Sequence, residues 1–159
     1  MKRSLFLLCF ILLFVSVANS GQITNDDALK SIAIFDKSPL NEDGKQAASI
    51  ILRFASESEE VTIALSAAIL PWIKNKDKNT SQFNTILLSA YIAGNVKSQL
   101  LKKTASDDPF GGYVQVLKTY DQIQQAHPDF KIEEIEEFEK HQQNGTLKDY
   151  VSKLISNKN

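Results

Sequence analysis

Apolar residues recur at helical spacing along most of the chain beyond residue 20. Between positions 47 and 55, for example, Ala47, Ile50, Ile51, Phe54 and Ala55 follow the i, i+3, i+4, i+7, i+8 order of one helix face. Comparable stripes alternate with short polar breaks through the rest of the chain. The spacing predicts helices over about 24–35, 42–56, 81–103, 106–124, 132–138 and 147–155.

Local signals place the ends of these helices. Thr24 is followed three residues later by the carboxylate of Asp27, which is the order of a capping box. Asn41 precedes a second helix start that is acidic in its first turn, where the helix dipole favours negative charge. His127-Pro128 and Asn144-Gly145 are typical of chain breaks, so we expect helices to end there.

The stretch 61–70 fits two structures. Val61, Ile63 and Leu65 alternate with small or polar residues, which is also a strand pattern. With a strand at 32–35, the segment 61–66 and the helix between them would form a βαβ unit over about 30–66. We favour a helix over 61–70, because good helix formers continue the run and no later segment resembles a third strand.

The predicted fold is therefore all-α: a single compact domain of about six or seven helices with antiparallel neighbours. The alternative is an α+β fold that contains the βαβ unit. Pro71-Trp72 and the polar stretch 74–80 form the clearest internal break, which predicts a loop and a candidate hinge near 74–80. The break is too short to divide 21–159 into two domains.

Residues 1–20 have the layout of an export signal. Lys2 and Arg3 precede the apolar run 5–17, and Ala18-Asn19-Ser20 offers the small-x-small pattern of a cleavage site. A retained anchor would need about 20 apolar residues, and this run is shorter. We predict cleavage before Gly21, no stable membrane anchoring afterwards, and a periplasmic or extracellular (secretory-pathway) location that depends on the organism.

Removal of the signal changes the charge and the available chemistry. The remaining 139 residues contain 16 basic and 19 acidic side chains, a formal charge of −3, and they lack Cys9, the sole cysteine. This balance provides no basic face for nucleic acid. Without cysteine, the domain cannot form disulfides or thiolate metal sites, so its stability has to come from an apolar core.

The side chains that most often carry chemistry are few and scattered. His127 and His141 each lie near a predicted helix end, without a second histidine at the spacing of a metal pair. The glutamates of 133–139 alternate with Ile132, Ile135 and Phe138, which indicates the solvated face of an amphipathic helix rather than a calcium loop. We therefore predict no catalytic residue, no cofactor and no metal site.

Two features are candidates for an interaction surface. Gly111 and Gly112 lie in the first turn of the helix predicted over 106–124, where glycine is less stable than alanine. The pair therefore indicates either close helix packing or a ligand that approaches the backbone N–H groups. Trp72, the sole tryptophan, either anchors a partner from the surface or closes the core. The candidate surface comprises Trp72, Asp107, Asp108, Phe110, Gly111, Gly112 and Tyr113.

The function predicted from these patterns is a non-enzymatic interaction or structural module whose partner is another protein. The alternative is a carrier of an apolar small molecule, since helical bundles form cavities between their helices. Asn79-Thr80-Ser81 and Asn144-Gly145-Thr146 match the N-glycosylation sequon, and we expect both in loops.

Overall fold

The predicted all-α class is confirmed for the residues that the structure describes. The structure is a computed structural model that describes residues 21–74 and 78–156. The predicted export signal, 1–20, lies outside these residues. Six α-helices and one short 3₁₀-helix cover the described ranges, which contain no strand: α1 (Asn25–Lys37), α2 (Glu42–Glu57), the 3₁₀-helix (Pro71–Lys74), α3 (Lys78–Lys102), α4 (Pro109–Ala126), α5 (Glu133–Gln143) and α6 (Leu147–Ser156).

The predicted start signals act as helix caps. The Asp27 N–H donates to Thr24 Oγ1 at 3.2 Å, and the Thr24 N–H donates to Asp27 Oδ2 at 3.1 Å, which completes the capping box. Asn41 Oδ1 accepts from the Gly44 N–H at 2.8 Å at the start of α2. These bonds satisfy N–H groups that have no partner within the helix itself.

The helices form two main pairs, α1 with α2 and α3 with α4. Helix α3 also packs against α2, while α5 and α6 close against α4 and against each other. One continuous apolar core runs through the bundle. Its largest fully buried side chains are Trp72, Tyr91, Tyr113, Tyr120, Phe35, Phe138, Ile32, Ile51, Leu70, Leu87, Leu117 and Ile123.

The segment 61–70 is the main departure from prediction. Residues 61–66 form neither the predicted helix nor the alternative strand, and a turn at 67–69 follows them. The βαβ alternative is therefore wrong as well, since α1 is helical through 32–35. Gln99 of α3 and Asp107, in the turn before α4, form hydrogen bonds with the backbone of Thr62 and Ala64. These backbone groups therefore do not form the i to i−4 hydrogen bonds of a helix.

The predicted loop at 74–80 is too long. Lys74 ends the 3₁₀-helix and α3 already begins at Lys78, so 78–80 are helical. Residues 75–77 lie outside the described ranges, and the candidate hinge stays a prediction.

Candidate functional site

The paired glycines lie where α4 crosses α3 most closely. A Cβ atom on Gly112 would stand 2.7 Å from the ring of Tyr91, and one on Gly111 would stand 2.9 Å from Ser98 Cβ. Gly94 faces them from α3, and a Cβ there would overlap the carbonyl oxygen of Gly111 and stand 2.6 Å from Gln115 Cβ. The glycines thus permit backbone-to-backbone contact, which is the packing explanation of the pair.

The two aspartates before α4 bond to α3. Asp108 caps its own helix through the Gly111 N–H at 3.1 Å and accepts from Ser98 Oγ at 2.5 Å and from Lys102. Asp107 Oδ1 accepts from Asn95 Nδ2 at 2.7 Å. Both carboxylates therefore connect the start of α4 to α3 by hydrogen bonds.

Two buried amides connect these aspartates to the 61–70 segment. Asn95 is 0% exposed and Gln99 is 1% exposed. Asn95 Oδ1 accepts from Gln99 Nε2 at 2.5 Å and from the Asp108 N–H at 3.0 Å. Sequence analysis missed this pair, although two amides spaced i, i+4 on the apolar face of a predicted helix were a visible signal, because a buried amide requires a partner.

Trp72 lies in the core rather than at the surface. Its ring makes edge contacts with Tyr113 at 6.1 Å and Phe138 at 6.4 Å between centroids, and it is 0% exposed. The hydroxyl of Tyr113 donates to the carbonyl of Ile69, and burial raises the pKa of Tyr113. Phe110 is half-buried against the core. In this structure, then, Trp72 and Tyr113 present no surface to a partner.

Asp108 should make stability depend on pH. Burial raises the pKa of its carboxyl, but the bonds from Lys102, Ser98 and the Gly111 N–H outweigh burial and lower the pKa below its ordinary value. A lowered pKa in the folded state stabilises the fold above the unfolded-state pKa, and this contribution is lost as pH falls through the folded-state pKa.

We expect Asp108→Asn to lower the free energy of unfolding at pH 7, with the deficit shrinking as the pH falls below about 4. Urea unfolding of both proteins across pH 3–7 measures the deficit. A deficit that stays constant over this range would show that the charge of Asp108 contributes nothing.

The histidines have local structural contacts. His127 ends α4 as its C-cap, with its ring 5.1 Å from that of Phe83. His141 Nδ1 lies 2.8 Å from Thr146 Oγ1, and its ring stacks on Tyr150 at 3.9 Å. These contacts bring the two histidines into no shared arrangement with the Asp107–Tyr113 turn.

The two sequons differ in their surroundings. Asn144 is exposed at the end of α5, where Gly145 adopts a left-handed φ of 70°. This is the predicted turn. The loop prediction for Asn79 is wrong, because Asn79 lies in the first turn of α3. Helix α3 extends further toward the N-terminus than its apolar stripe indicated.

A groove with a mainly apolar lining lies between α1, α2 and α3. Its volume is about 220 Å³. Phe35, Pro39, Ala48, Leu52 and Ile86 supply its apolar lining, and Lys45, Ser49, Thr85 and Ser89 supply its polar lining. Sequence analysis did not find this groove, because its lining combines α1 and α2 with α3, and residues 58–77 separate α3 from α2 along the chain.

Comparison with known proteins adds no relative. No protein-family model, curated protein or solved structure matches this chain. Within the described residues, no group of three or more His, Cys, Asp or Glu side chains is placed to hold a metal ion. None of the helices in 21–74 and 78–156 has the length and apolar character needed to cross a membrane.

Proposed function

We propose that the exported chain is a non-enzymatic helical module that binds another protein, with the groove between α1, α2 and α3 receiving an apolar side chain of that partner. The observation that carries this proposal is the apolar lining of the groove at an open surface. Partner residues that dominate binding energy commonly fill such pockets and lose their contact with water there.

The polar side chains at the junction of α3 and α4 support a binding role rather than a catalytic one. Asp107, Asp108, Asn95 and Gln99 bond one another or backbone groups at the junction of α3 and α4. A reacting group needs a side chain free to face substrate, and these four are engaged in holding helices together. Gly111 and Gly112 of the Asp107–Tyr113 turn pack against α3. A role of this turn in binding a partner stays a prediction.

A carrier of an apolar small molecule is the second candidate. The same groove supports it by its apolar lining, but its volume of about 220 Å³ lies below the range of about 300–1,000 Å³ that is usual for ligand pockets. A pocket of that size suits one or two protein side chains better than a lipid-like molecule.

A matched pair of charge substitutions on α2 tests the groove. Ser49 lines the groove and is exposed, whereas Gln46 is exposed on the same helix outside the lining. Ser49→Glu places a carboxylate where partner binding would remove water from it, so we expect the affinity for the partner to fall by about tenfold or more. Gln46→Glu adds the same charge and should leave affinity unchanged.

The measurement begins with the tagged wild-type protein in its native exported fraction. The captured partner is identified, purified and titrated against all three proteins, and thermal unfolding confirms that each is folded. Equal affinity for wild type and Ser49→Glu would refute the groove as the site. A small molecule that co-purifies with wild type and is lost only from Ser49→Glu would support the carrier instead.

The export step is tested separately. The intact mass of the protein recovered from the exported fraction should begin at Gly21 or within a residue or two of it. Recovery of the full chain in the membrane fraction would contradict export with cleavage.

A further inference from the structure

Residues 62 and 64 direct their backbone groups toward the helices beneath them. The Thr62 N–H donates to Gln99 Oε1 at 2.9 Å, and the Thr62 carbonyl accepts from Gln99 Nε2 at 2.8 Å. The Ala64 N–H donates to Asp107 Oδ1 at 3.2 Å. One amide can reach both groups of Thr62 because, in an extended chain, the N–H and C=O of one residue point to the same side.

In an extended segment, the backbone groups of the intervening residues point to the opposite side. Within the described part of the chain, the backbone N–H groups of Val61, Ile63 and Leu65 donate to no partner. The alternation is that of an extended segment whose N–H groups have partners on one side, at residues 62 and 64, and none on the other, at residues 61, 63 and 65. Such an edge is a template for another chain.

The side of the segment that carries the unpartnered N–H groups of residues 61, 63 and 65 is called the 61–65 edge. This edge also lacks the features that prevent strand pairing. Charged side chains, especially lysine, and proline commonly protect exposed edges. Residues 61–70 contain no charged residue, no glycine and no proline. Leu65 adds an apolar side chain that is 51% exposed.

We propose that the 61–65 edge pairs with the same edge of a second copy of this chain, antiparallel, with Ile63 opposite Ile63. This register places Val61 opposite Leu65, so each residue whose N–H has no partner faces another such residue of the second copy. Each facing pair exchanges two hydrogen bonds. The pairing is self-complementary about a two-fold axis, as in most homodimers, and it brings no like charges together at its centre.

This inference goes beyond the proposed function and stands independently of it. The edge lies over α3 and the turn before α4, while the groove is lined by α1, α2 and α3 residues that are not part of the edge. Self-association can therefore fail while partner binding holds, and the reverse.

Site-directed cross-linking tests the register. In a full chain that carries Cys9→Ser, Ile63→Cys should form a disulfide-linked dimer on mild oxidation. The Cα atoms of a facing hydrogen-bonded pair lie about 5.5 Å apart, within the range that a disulfide spans. Leu65→Cys is the control, because two copies of residue 65 would lie about 13 Å apart along the paired strands.

Leu65 is more exposed than the half-buried Ile63, so exposure alone would favour cross-linking of the control variant Leu65→Cys. Random collision would cross-link Leu65→Cys faster, whereas strand pairing cross-links Ile63→Cys faster. Equal or faster cross-linking of Leu65→Cys would overturn the proposal, as would the failure of both variants to cross-link.

Sedimentation equilibrium of the uncross-linked full chain gives the second measurement. Ile63→Pro removes an N–H that has no partner within the described residues, and Ile63→Val retains it. Loss of both central hydrogen bonds should raise the dimer dissociation constant by about tenfold or more, while Ile63→Val leaves it near the wild-type value.

If circular dichroism shows that Ile63→Pro is unfolded, Leu65→Lys takes its place, with Leu101→Lys as the matched control. Leu101 is 66% exposed on α3 and lies outside the edge. Leu65→Lys should weaken the dimer and Leu101→Lys should not. A wild-type chain that stays monomeric, or a dimer unaffected by Leu65→Lys, would refute the proposal.

Discussion

Replacement of Gly94 by alanine is expected to lower the free energy of unfolding by about 3 kcal/mol or more, which corresponds to a fall of roughly 10 °C in Tm. The added methyl would overlap the Gly111 carbonyl and stand 2.6 Å from Gln115 Cβ. A backbone atom cannot move aside as a flexible side chain can, so α3 and α4 would have to separate. Thermal unfolding followed by circular dichroism measures the change.

Leu101→Ala is the matched control for this substitution. It lies on the same helix but is 66% exposed, so its change in unfolding free energy should be within about 0.5 kcal/mol. A Gly94→Ala protein as stable as this control would mean that the two helices do not depend on close contact at Gly94.

Replacement of Asn95 by leucine is expected to cost about 3 kcal/mol through lost hydrogen bonds. The amide has three partners, Asp107, Gln99 and the Asp108 N–H. Leucine is of similar size, so the loss comes mainly from buried polar groups left without partners, at about 1–3 kcal/mol each. Urea unfolding gives the value, and limited proteolysis should show earlier cleavage within 61–70.

Asn25→Leu is the comparison for that result. Asn25 makes one hydrogen bond, to Glu60 at 2.5 Å, in an exposed setting. The same change of side chain there should alter the unfolding free energy by less than about 1 kcal/mol. Comparable losses at both positions would indicate that the buried network contributes no more than a surface contact.

The sequence was most informative where local physics sets the structure. Helices α1 and α2 start where Thr24 and Asn41 predict, since a cap satisfies N–H groups within one turn of itself. The helices predicted over 81–103 and 106–124 match α3 and α4 to within a few residues, because their apolar stripes also depend on residues one or two turns apart. The all-α class follows from these elements together.

The 61–70 segment could not be predicted in this way. Its composition suits a helix or a strand, and the competition is decided by Gln99 and Asp107, which lie more than 35 residues further along the chain. Their side chains bond the backbone of the segment directly, so its conformation depends on the assembled bundle. The same holds for the groove, whose lining comes from α1, α2 and α3.

For the candidate site, the sequence by itself determined that the Gly111-Gly112 pair is costly and therefore has a purpose. The tertiary structure decided the purpose, because only the crossing of α3 places Tyr91, Gly94 and Ser98 against that turn. It likewise decided that Trp72 is buried. Caps and apolar stripes depend on neighbours within a turn or two, whereas close approach and burial depend on which helices meet.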